Sequence, residues 1–193
     1  MATQAPIEVR LHRKAFYNDP LFAWIFLESN DEERHKKLWA MIRSVVRSSF
    51  ECGGFVLDAR DWGSVMAVSE PGQNYLGAVD KVKATVLPGP KLRDCFYVLI
   101  TATDPSHRKQ GLLAAMVERL LDEARKVNKP IWLEATTKYS AQQFTRFGFE
   151  TVDGITLGKG KVNAKGTKQS GGEGVTVTAM IWWPEKPVQQ ETK

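Results

Sequence analysis

The chain has 193 residues, 42% hydrophobic and 25% charged, which fits one domain with a core of its own and excludes an intrinsically disordered chain. Its formal charge of +5 suits an anionic ligand, but no basic stripe interleaved with aromatics marks a nucleic-acid surface. No apolar run is long enough to cross a bilayer and no charged-then-apolar leader opens the chain, so neither membrane insertion nor secretion is expected.

Residues 7–11 alternate and read as a first strand. Asp19-Pro20 reads as a break in any helix there. Asn30, three residues before Glu33, caps a helix that runs to about Glu51, with Leu38, Ile42, Val45 and Val46 as its buried stripe and Gly53-Gly54 as its stop. Strands follow at Phe55–Ala59 and Ser64–Ser69, joined by a turn at 60–63. The segment 71–92 is rich in Pro and Gly and has room for one short helix. Residues 94–103 form a central strand, 111–127 a long helix stopped by Asn128 and Pro130, and Ile131–Ala135 another strand. A short helix at 141–147 and strands at 149–157 and 175–183 complete the order. Between the last two strands, 158–174 is a Gly/Lys-rich loop expected to be flexible, and 185–193 is a polar tail. Cys52 and Cys95 stand in no metal or redox spacing, which reads as two reduced thiols in a cytoplasmic protein. With three histidines, no metal cluster is expected.

The strand-loop-helix-strand unit in the middle carries the chemistry. Its loop reads Thr101-Ala102-Thr103-Asp104-Pro105-Ser106-His107-Arg108-Lys109-Gln110-Gly111-Leu112-Leu113. The first amides of the helix have no internal partner, the helix dipole adds partial positive charge, and Arg108 and Lys109 add two more charges at the mouth. Gly111 allows close backbone approach, so the loop suits a pyrophosphate. It is neither a Walker loop, which needs Gly-Lys-Ser/Thr, nor a dinucleotide fingerprint, which needs three spaced glycines. A generic basic loop at a helix start is the alternative.

Arg108-x-x-Gly111 after a strand ending in Asp104-Pro105 resembles motif A of the GNAT acetyltransferases, and 131–135 resembles the family's fifth strand. Ser140-Ala141-Gln142-Gln143-Phe144-Thr145-Arg146-Phe147-Gly148-Phe149 resembles motif B. Ala15-Phe16, Asp19-Pro20, Trp24 and the Leu-Glu-Ala run at 133–135 resemble the subgroup of puromycin N-acetyltransferase-like enzymes. The resemblance covers most of the chain and concentrates in 94–149. It implies a single α/β GNAT domain over 1–193, a mixed, mostly antiparallel sheet splayed between its fourth and fifth strands (94–103 and 131–135), and flanking helices. It implies acetyl-CoA as co-substrate, no metal, and direct transfer of an acetyl group to a small-molecule amine. A protein lysine or N-terminus as acceptor, and a non-catalytic acyl-CoA-binding module, are the alternatives; the chain would act as a monomer or homodimer.

In that frame, Thr101, Ala102 and Thr103 line the pantetheine, and His107, Arg108, Lys109, Gln110, Gly111, Leu112 and Leu113 hold the pyrophosphate. The chain departs from the family at Leu113, where Gly or Ala is usual. It departs again at Phe144, which lines the cofactor at the position where motif B often carries a proton-donating tyrosine. Phe22, Trp24 and Trp62 fall in segments that wall the acceptor, with plain core packing as the alternative. The base is assigned to Glu134, which shares a strand face with Trp132 by alternation and whose burial would raise its carboxyl toward working pH. A structural glutamate paired with a cation is the alternative. Tyr139 is the candidate acid, although a thiolate is also a tolerable unassisted leaving group.

Overall fold

The computed structural model describes residues 13–51, 53–72 and 80–184. The strand expected at 7–11, Cys52 and the tail 185–193 lie outside the described residues. The order is α1 (Arg13–Phe16), α2 (Pro20–Ile25), α3 (Asp31–Glu51), β1 (Phe55–Ala59), β2 (Ser64–Ser69), α4 (Asp80–Lys83), a 3-10 turn (Gly89–Arg93), β3 (Phe96–Thr103), a second 3-10 turn (Pro105–His107), α5 (Leu112–Val127), β4 (Ile131–Ala135), α6 (Lys138–Thr145), β5 (Glu150–Leu157) and β6 (Val175–Trp182).

Two helix starts correct the sequence reading. Asp19-Pro20 opens a helix instead of breaking one: the Asp19 carboxylate accepts from the Leu21 amide at 2.9 Å, and proline in the first turn gives up an amide that would have no partner anyway. α6 begins at Lys138, three residues before the expected Ala141, because Thr137 and Ser140 cap each other's backbone. Gly148, at φ +86°, then turns the chain out. α3 begins as expected, with Asn30 accepting from the Glu33 amide at 2.9 Å.

The six strands form one sheet in the order β1-β2-β3-β4-β6-β5. Every pairing is antiparallel except β3 with β4, which the intervening α5 makes parallel. On one face Met116, Val117, Leu120, Leu121 and Ala124 of α5 pack on Leu57, Met66, Val68, Phe96, Val98, Ile131, Leu133 and Ala135. Val127, the last residue of α5, is exposed. Another cluster joins Leu38, Ile42 and Val46 of α3 to Val65, Ala67, Ile100 and Ala102.

β3 changes phase midway. Opposite β2, Val68 pairs with Val98 but Ala67 pairs with Ile100, leaving Leu99 as an extra residue. Val98 therefore joins the α5 cluster while Ile100 joins the α3 cluster. Pairing of β3 with β4 stops at the same place: Phe96, Tyr97 and Val98 meet Ile131, Trp132 and Leu133, and the rest of β3 parts from β4. The expected splay is this gap.

The segment 158–174 folds back on itself through an isolated bridge between Val162 and Lys168 and a set of backbone hydrogen bonds, with Val162 fully buried. It lies against α2. A Cβ on Gly166 would overlap the Pro20 carbonyl oxygen, and one on Gly158 would strike the Trp24 indole.

Candidate active site

At the end of β3 the chain turns through a small, ordered knot. The Asp104 carboxylate accepts from the Ser106 amide at 2.7 Å and receives the Ser106 hydroxyl, starting the 3-10 turn. The His107 Nδ1 lies 3.2 Å from the Ser106 hydroxyl. Its ring sits on Gly63, where a Cβ would come within 3.2 Å of it, and the Asp104 amide donates to the Gly63 carbonyl. Arg108, Lys109, Gln110 and Gly111 are all exposed. Gly111 takes φ +75° at the N-cap of α5, and a Cβ built there meets nothing within 4 Å. The helix thus begins without a side chain over its first amides, beside two cations and open space. That arrangement fits a pyrophosphate. Leu112 and Leu113 are half-buried, Leu113 against the core between α5 and the sheet.

Beyond Val98, β3 has no partner on its β4 side, so backbone there faces the gap. Thr101 and Thr103 are tied to β2: the Thr101 hydroxyl donates to the Val65 carbonyl at 3.2 Å, and the Ser64 and Thr103 hydroxyls meet at 2.7 Å. Their side chains brace the strand and leave its backbone to face a ligand.

Glu134 is the first residue of β4 past the last β3 pair. Tyr97 and Trp132 are register partners across the parallel strands, and both aim a donor at the carboxylate two residues on from Trp132. The Tyr97 hydroxyl donates to Glu134 Oε2 at 2.6 Å, and the Trp132 indole N–H donates to Oε1. Burial pushes the Glu134 carboxyl up; the two donors and the charge of Lys83 oppose that rise. The same burial, together with the Glu134 charge, drives the Tyr97 phenol well above its ordinary value, which leaves it a donor and not an acid near neutrality. Cys95 and Lys83 complete the cluster, with the Lys83 Nζ 5.0 Å from the centre of the Tyr97 ring. Burial raises the Cys95 thiol as well.

The structure separates the other assigned residues. Tyr139 is 68% exposed on the first turn of α6. Phe144 is buried beside Phe149, ring centres 5.3 Å apart, in the α5 cluster. Phe22 is buried edge-on to Phe16 at 5.2 Å in the α3 cluster. Trp24 and Trp62 are half-buried, Trp24 under the 158–174 segment and Trp62 in a turn where Arg60, Asp61 and Trp62 all take positive φ. Sequence reasoning missed Tyr97 and Lys83. Tyr97 could have been found by laying 96–98 parallel beside 131–133; Lys83 comes from a segment whose pattern is too weak to orient.

Residues 77–152 match the model of the acetyltransferase (GNAT) domain. Over 90 residues the chain is 31% identical to increased recombination centers protein 11 of Saccharomyces cerevisiae, a stretch that makes up 46% of this chain and 58% of that protein, so the chain spans little more than half of the curated relative it matches. Among solved structures, a Corynebacterium glutamicum protein described as histone acetyltransferase HPA2 and related acetyltransferase superposes with a TM-score of 0.67, at 24% identity, over 97% of this chain and 96% of its own. Arylalkylamine N-acetyltransferase 2 of Aedes aegypti superposes with a TM-score of 0.58, at 13% identity, over 93% and 94%. Among the described residues no group of His, Cys, Asp and Glu could hold a metal ion. Motif, sheet order and splay converge with the match over 77–152: the chain has the GNAT fold.

Proposed function

We propose that this protein is a cytoplasmic acetyl-CoA-dependent N-acetyltransferase that acetylates a small-molecule amine by direct transfer. The observation that carries the reading is the placement of Glu134, a carboxylate held by two donors, beside the gap where β3 leaves β4. Acetyl-CoA supplies an activated acyl group. The residues for holding it are the amides of 108–113 with the Arg108 and Lys109 charges for the pyrophosphate, and for the pantetheine the 101–103 stretch on its open β4 side. We assign the stabilisation of the developing oxyanion to an amide of Thr103 or Ala102. Glu134 takes the proton from the attacking amine, directly or through a water. The small-molecule acceptor is supported by the resemblance to puromycin N-acetyltransferase-like enzymes.

A second reading, an acyl-CoA-binding module without turnover, is favoured by one observation: Phe144 has no proton to give and Tyr139 stands out in solvent. Thiol release from acetyl-CoA decides between them, run with an arylalkylamine, an aliphatic polyamine and a lysine peptide. Amine-dependent release is expected, lost in Arg108→Ala through weaker cofactor binding. In Glu134→Gln it should fall about 100-fold or more with acetyl-CoA affinity kept. Binding without release by any amine would establish the module; full turnover in Glu134→Gln would remove Glu134 from the mechanism.

A further inference from the structure

Lys83 ends the four-residue helix α4 and is only 6% exposed. A lysine ammonium is almost never buried so far without a use for its charge. It is seated on aromatic faces: its Nζ lies 5.0 Å from the centre of the Tyr97 ring and 5.9 Å from that of Trp132. These are the two rings whose O–H and N–H hold the two oxygens of Glu134. One cation, two rings and one carboxylate are thus stacked across the closed end of the gap between β3 and β4.

We propose that Lys83 is a positioning residue for Glu134: seated on the two rings that bind the carboxylate, its ammonium keeps that carboxylate ionised and ready to accept a proton. The proposal rests on the reading of Glu134 as the base. The other titratable groups facing the cluster are Asp80 on α4, Cys95 and Asp94 ahead of β3, and Tyr97 itself. Asp94 is engaged elsewhere, 2.5 Å from the Lys129 Nζ. The neighbouring residues of β6 in this cluster, Ala179 and Ile181, bring no charge. Removing the Lys83 charge leaves burial of Glu134 opposed by its two neutral donors alone.

The test follows the Glu134 carboxyl in the full chain in two ways. Carbon-13 labelling of glutamate carboxyls reads its ionisation directly, with Glu134→Gln identifying the signal. The acid limb of kcat/KM, measured with acetyl-CoA and the amine that releases thiol fastest, reads it in turnover. Lys83→Met keeps the apolar stem and is expected to raise the Glu134 midpoint by on the order of one pH unit, with the acid limb moving alongside. Lys83→Arg, which keeps the charge, is expected to leave both near the unsubstituted values. A midpoint that does not move in Lys83→Met overturns the proposal, and a Lys83 that merely fills the core or serves its hydrogen-bond partner Cys95 gives that result. A midpoint that moves while the acid limb stays supports the electrostatic hold and removes Glu134 as the base, so the two readings fail separately. Should Lys83→Met not fold by circular dichroism, Lys83→Gln makes the same comparison with a neutral polar group.

Discussion

At Glu134, two hydrogen-bond donors work against the burial that pushes its carboxyl up. The linkage runs opposite to that of a carboxylate in a surface ion pair. Because the folded value is raised, the folded state holds its proton over a range where the unfolded chain has lost it. Stability therefore falls as pH rises through that window, and the cost is complete only above the folded value. Tyr97→Phe removes the donor at 2.6 Å from Oε2 and raises the carboxyl further. Its expected cost is about 1–3 kcal/mol where Glu134 is ionised, shrinking as pH falls and the protonated carboxyl needs its donor less. Urea unfolding of the variant at pH 8 and at pH 5 measures both; an equal cost at the two pH values would show that Tyr97 serves packing and not charge. For Glu134, the face shared with Trp132 was legible from alternation within 131–135 alone. Its partner was not, because a tyrosine thirty-seven positions earlier reaches it only through a parallel register.

Elements dictated by local chemistry were legible to within a residue or two. The helix at Asp31–Glu51, the strands at Phe55–Ala59, Ser64–Ser69 and Ile131–Ala135, and the stop at Asn128 all follow from caps, periodicity and breakers. Misreadings arose where one residue type serves two purposes: Pro20 starts a helix, and the cap of α6 is a Thr-Ser pair where a Glu or Gln usually answers. The 158–174 segment shows the limit of composition most clearly. Its glycines are used for fit, letting the loop lie on the backbone of α2 and over Trp24. Gly166→Ala combines φ +75° with overlap against Pro20 and is expected to destabilise the protein by about 2 kcal/mol or more. Gly160→Ala, with φ +81° but open space, is expected to cost only the backbone strain. Thermal unfolding of the pair separates strain from contact, and equal losses would deny the loop its seat on α2.

Across the whole molecule, charge and topology set different properties. The formal charge of +5 matters most where Arg108 and Lys109 stand exposed beside the open start of α5. Exposed charges are screened by salt, and the buried Lys83–Glu134 cluster is screened much less. Raising ionic strength from about 0.01 to 1 M, where the screening length falls from about 30 to 3 Å, is expected to raise KM for acetyl-CoA with little change in kcat. A salt-independent KM would place the cofactor's phosphates elsewhere. The sheet as a whole was foreseeable from the resemblance, including the gap, but the device that opens it was not: a bulge adds one residue without altering composition or mean hydropathy. Leu99 is that residue. Without it, β3 would keep one phase along its length and nothing in its alternation would prevent it from closing onto β4 to the end. The most fully hydrogen-bonded version of this sheet is therefore one with no cleft, and a single supernumerary leucine keeps the fold short of it.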